Sequence, residues 1–123
     1  MKSLRNALAL SFAALLAVSC STSQSRYVPF GKTYPPKPEG YQVEVFRVEP
    51  PTRPFERITR LDVHLEKAFF VGSSLESALP ELKKQARLSG ADAIIDIRES
   101  SSMVGETKIY HVTATGIRYT DAK

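Results

Sequence analysis

The chain has 123 residues, a formal charge of +4, one cysteine and no tryptophan. That length allows one small domain with a core of limited size, and a lone cysteine excludes any disulfide within the chain. The positive surplus lies in the first forty residues, and basic and acidic residues balance from Tyr41 onward. No basic stripe of the kind that grips nucleic acid is left in the folded part, so no nucleic-acid partner is expected.

Residues 1–19 read as a lipoprotein signal peptide. Lys2 and Arg5 give a positive start, and Ala7 to Val18 is apolar apart from Ser11. This run is too short to span a bilayer, which takes about 20 apolar residues. The closing Leu15-Leu16-Ala17-Val18-Ser19-Cys20 resembles a bacterial lipobox. The lipobox usually has Leu three residues before the cysteine; here that place holds Ala17, with Leu16 one step earlier. The resemblance implies acylation of Cys20 and attachment to a membrane through its acyl chains. Ser21, where Asp would favour inner-membrane retention, implies the outer membrane facing the periplasm of a Gram-negative cell. Two alternatives stay open. Ala17-x-Ser19 also fits ordinary signal cleavage, and the segment also fits an uncleaved anchor. A soluble exported form would carry one unpaired thiol, uncommon in an oxidising compartment, whereas lipidation consumes it.

Residues 20–40 read as a lipidated cysteine followed by a Pro-rich flexible tether. The tether opens with a Ser/Thr/Gln run and closes with Tyr34-Pro35-Pro36-Lys37-Pro38-Glu39-Gly40. Proline holds the chain extended, so at about 3.1 Å per residue the tether would reach roughly 60 Å. Tyr27, Val28 and Phe30 are apolar exceptions able to dock onto the domain. The domain itself is expected over 41–123. Tyr41 to Val45 alternates apolar and polar as a half-buried strand does. A second strand is predicted from Arg57 to Glu66, with Leu61, Val63 and Leu65 on one face and Arg60, Asp62, His64 and Glu66 on the other.

One helix follows. Ser73 and Glu76 fit a capping box, and Leu75, Leu79, Leu82 and Ala86 form one stripe. Pro80 argues for a later start, since with Ser77 as N-cap it falls in the first turn where its missing donor costs little. The predicted regular helix is therefore Ser77 to Leu88, ended by Gly90 in the left-handed conformation. Asp92 to Arg98 is a third strand, and Ile94 on its polar side marks it as well buried. Ser100 to Glu106 reads as a mobile loop. Thr107 to Tyr119 is the last strand, with small residues Ala114 and Gly116 letting the helix lie close. The fold class is α+β: a two-layer sandwich in ββαββ order, with a four-stranded, mostly antiparallel sheet and one helix on one face.

The run from Ala78 to Ile97, with Gly90-Ala91-Asp92-Ala93 after the helix, resembles the helix–strand unit of small bacterial βαββ families. Pro54-Phe55-Glu56-Arg57-Ile58 resembles the entry to the preceding strand in exported lipoproteins of this kind. Over about residues 54–119 the chain is similar to the YbjQ heavy-metal-binding family and to the RcsF family of outer-membrane stress-sensor lipoproteins. The resemblance implies the fold, and a sensor or metal-binding role as the alternative function. Disulfides brace RcsF-like domains, and none can form within this one.

The chemistry is sparse. A metal site wants three or four ligands in fixed geometry, and the histidines are His64 and His111, expected on separate strands. No metal site and no cofactor are expected. Gly72-Ser73-Ser74 lacks the Lys of a phosphate loop. Ser100, Ser101 and Ser102 have no histidine nearby in sequence, and Asp92 and Asp96 read as a turn support and a solvent-facing carboxylate. The chain is thus expected to be no enzyme but an interaction domain, binding a protein partner or its own copy. The alternative is a metal or small ligand on the face carrying His64, Glu66 and His111.

Overall fold

A computed structural model describes residues 21–68 and 74–121. The leader, Cys20 and the predicted capping residue Ser73 lie outside the described residues. In chain order the elements are β1 (Ser21–Pro29), β2 (Glu44–Val45), β3 (Phe55–Ala68), α1 (Leu75–Ser89), β4 (Ala93–Val104) and β5 (Thr107–Tyr119). They form an α+β fold with one sheet in the order β1-β3-β5-β4-β2. The β1–β3, β3–β5 and β5–β4 pairs are antiparallel, and β2 lies parallel to β4.

The alternation in β3 sets the two faces. Leu61, Val63 and Leu65 join Leu82 and Ala86 of α1, Ile94 of β4 and Val112 of β5 in the main core. A second cluster of Ala93, Ile95, Ile117 and Tyr119 lies under Phe46 and Phe55. Ile94 and Ile95 are therefore buried on opposite sides of the same strand. That accounts for the broken polar face seen in sequence. Gly116 is a close-approach position: a Cβ there would stand 2.5 Å from Cγ2 of Thr59 and 3.0 Å from Cβ of Ala91.

The sheet has five strands where four are expected, and the order is βββαββ. The added strand comes from the expected tether. Ser21 faces Lys67 and the register runs without a break to Pro29 opposite Thr59. The Ser25 hydroxyl accepts from Nε2 of Gln85 at 2.9 Å and donates to Glu81 at 2.7 Å, fixing β1 to the helix. A long β3 exposes a row of backbone groups that a polar partner strand satisfies as well as an apolar one. The Pro-rich stretch is also docked rather than held off. The Lys37 amide donates to the carbonyl of Arg87 at 2.8 Å, and Tyr34 and Tyr41 pack on the core. Proline keeps that stretch extended, but it extends along the domain.

Several boundaries differ from expectation, and β3 outruns its predicted span at both ends, from Phe55 to Ala68. The first predicted strand, Tyr41 to Val45, shrinks to the two residues of β2. The helix starts at Leu75, not at Ser77. Ser77 is the third helical residue, and its hydroxyl accepts from the Ser74 amide at 3.0 Å and donates to the Ser74 carbonyl at 2.7 Å. Pro80 thus sits in the sixth helical position. Gly90 ends the helix with φ of 83° as expected, and the amide of Ala91 reaches back to the carbonyl of Ala86. Finally, β4 continues through the predicted loop to Val104, turning at Gly105 with φ of 62°. β5 supplies a ladder partner for each of those serines, so they need no core of their own.

Candidate ligand-binding face

The helix covers one face of the sheet, and the polar side chains of β3 project from the other. Register stacks them into cross-strand rows. Gln24, His64, His111 and Ser100 form one row across β1, β3, β5 and β4. Arg26, Asp62, Thr113 and Arg98 form the next. Cross-strand neighbours have Cβ atoms about 4.5–5.5 Å apart, close enough for these side chains to interact. Between β1 and β5, Gln24, Arg26, Arg60, Asp62, His64 and His111 border a shallow groove of about 440 Å³.

Asp62 is the floor of this groove, its side chain 9% exposed. Oδ1 receives a hydrogen bond from Arg60 at 3.4 Å and lies 3.4 Å from Nε2 of His111. Oδ2 is buried without a hydrogen bond; the Nε atoms of Arg60 and Arg26 face it as charge partners at 3.4 and 3.5 Å. His64 lies 3.0 Å from Oε1 of Glu66, and its ring meets that of His111 edge-on with centroids 6.0 Å apart. The expected residues His64, Glu66 and His111 are thus brought to one face, with the two histidines as direct ladder partners. Among the described residues no group of three or more His, Cys, Asp or Glu side chains is arranged to hold a metal ion.

The two aspartates near the helix stop separate. Asp92 is a structural hub: Oδ2 accepts from the Tyr119 amide at 2.9 Å, and Oδ1 accepts from the Tyr41 hydroxyl at 3.0 Å and pairs with Lys37 at 2.8 Å. Burial pushes its carboxyl up, but Lys37 and the two hydrogen-bond donors outweigh burial and hold it below the usual carboxylate range. Asp96 sits at a β-bulge with φ of 53° and pairs with Arg57 at 3.4 Å. The two carboxylates thus engage different partners, Lys37, Tyr41 and Tyr119 for Asp92 and Arg57 for Asp96. Ser100 faces His111 in the ladder, but among the described residues no side-chain hydrogen bond joins them. Burial and a hydrogen bond to Glu44 push the Tyr119 phenol up to about 12, and burial with Glu99 raises Tyr110 as well. Both phenols stay protonated donors at neutral pH.

Sequence reasoning passed over Arg26 and Gln24, because both fall in the expected tether. It also had no means to place Asp62 beneath the histidines. The signal was present in one form only: the even-numbered residues of the second predicted strand are all polar or charged from Arg60 to Glu66.

No family model matches the chain, and no curated protein matches it. The chain is similar to the crystal structure of the Francisella virulence factor FvfA, at 14% identity and a TM-score of 0.50, over 77% of this chain and 97% of that one. At that identity the likeness is one of fold alone.

Proposed function

We propose that this chain is an exported, lipid-anchored protein of the cell envelope, in the outer membrane if the cell is Gram-negative, whose α+β domain is a non-catalytic interaction module. One observation carries the anchor: the apolar run Ala7 to Val18 ends at Val18-Ser19-Cys20, where the chain has its sole cysteine. The groove over Asp62 supports a binding role, since it presents Arg26, Arg60, His64 and His111 around a mostly buried carboxylate on the face away from the helix. Mass spectrometry of the mature N-terminus tests the reading. An acylated Cys20 at the first position is the expected result, and a free Cys20 thiol or a retained Met1 overturns it.

A second reading is favoured by the His64–His111 pair, whose 6.0 Å ring separation is within reach of one ligand. In that reading the open face of the sheet binds a metal or a small molecule. Isothermal titration with zinc and copper salts decides its metal form: heat of binding lost in His64→Ala and His111→Ala supports that form, and silence at millimolar metal removes it.

A further inference from the structure

We infer that the end of the sheet where β1 begins rests on the lipid surface, with the β4–β5 turn as its second point of contact. The inference rests on the reading of Cys20 as acylated. Cys20 directly precedes Ser21, the first residue of β1, so no spacer separates the acyl chains from the sheet. The ladder then pairs Ser21 with Lys67, Lys67 with Lys108 and Lys108 with Met103. One row therefore leads from the attachment point across three strand spacings to the β4–β5 turn, about 14 Å at about 4.8 Å per strand.

At the far end of that row Met103 and Val104 are 52% and 65% exposed, and neither belongs to either apolar cluster. They lead into the turn at Gly105 and Glu106. Lys108 lies in the same row and Glu106 in the turn itself, so the tip carries both charges beside its apolar side chains. A hairpin tip with two apolar side chains and adjacent lysine has the chemistry of a membrane-interface contact. The acyl chains supply one anchor, and a second contact about 14 Å away fixes the direction in which the strands stand from the bilayer. Phe30, just past the other end of β1, is held about 30 Å from the surface at about 3.3 Å per residue. The Asp62 groove lies between these ends, on the side of the sheet away from the helix.

The absence of tryptophan gives a direct test. Val104→Trp and Phe30→Trp are made in the full lipidated chain and reconstituted in vesicles of phosphatidylethanolamine and phosphatidylglycerol, with and without brominated acyl chains. Apolar contacts of this kind enter the boundary by about 5–10 Å, so brominated lipid should quench the Val104→Trp indole by about twofold or more and leave the Phe30→Trp indole unchanged. Mass spectrometry on the same samples reports on Cys20. Equal or absent quenching at the two positions, with Cys20 acylated, overturns the inference and leaves the anchor standing. An unmodified Cys20 overturns both. A blue shift of the Val104→Trp indole in detergent that grows with protein concentration assigns the tip to a second copy and also overturns the inference.

Discussion

Asp92 shows how one residue reads differently in sequence and in the fold. Sequence places it as the support of a turn, and the structure makes it a buried junction of three segments through Lys37, Tyr41 and Tyr119. Because its carboxyl is held below the ordinary value near 4, ionised Asp92 stabilises the native state above that pH. This contribution is lost as pH falls through the ordinary value toward the lowered one. Asp92→Asn should therefore cost about 1–3 kcal/mol at neutral pH and flatten the acid limb of stability below about pH 4. Urea titrations at neutral and acid pH check it; an equal loss at both would remove the charge from the explanation. His64 and His111 make the opposite point. Each was legible as a strand residue facing away from the core, but their opposition and the carboxylate between Arg26 and Arg60 depend on register, which a single sequence leaves free.

At the scale of elements, β1 and α1 carry the main departures from expectation. β1 was illegible because strands are read from alternation of apolar and polar residues, and Ser21 to Arg26 is polar throughout. What holds it is the backbone ladder to β3 together with the Ser25 hydroxyl, on which buried Gln85 depends. Ser25→Ala should cost about 1–3 kcal/mol, the penalty for leaving a buried donor unpaired. It should also speed amide exchange in β1 more than in β5; uniform protection would show that the ladder alone holds the strand. In α1, Pro80 is exposed in the sixth helical position and forfeits the bond to the carbonyl of Glu76. A proline costs roughly 3 kcal/mol relative to alanine in a helix interior and less near the N-terminus, so Pro80→Ala should stabilise by about 1–3 kcal/mol. Unchanged stability would mean that the first turn is already frayed. The expectation of a later start followed sound proline logic; the Ser74–Ser77 hydroxyl pairing and the docking of Leu75 on the core outweighed it.

For the molecule as a whole, stability rests on a core built between one helix and one face of the sheet. Leu82 is fully buried at its centre. Leu82→Ala should cost about 2–5 kcal/mol, a large share of the roughly 5–15 kcal/mol typical of a domain. Val104→Ala, at the exposed tip, should change stability by less than about 0.5 kcal/mol. Comparing their denaturant midpoints separates residues kept for the fold from apolar residues kept for a contact outside it. A large cost for Val104→Ala would instead place the tip within the folding unit.

The sequence by itself determined the α+β class, the helix before Gly90 and its glycine stop, the last strand over Thr107 to Tyr119 and the identity of the core residues on β3. Each of these is written in local periodicity or in the backbone freedom of one residue. The tertiary structure alone decided the fifth strand, the docking of the Pro-rich stretch and the joining of Arg26, Asp62, His64 and His111 into one groove. Those features depend on backbone hydrogen bonds and cross-strand register between residues far apart in the chain, and such pairing leaves almost no mark on the local order of side chains.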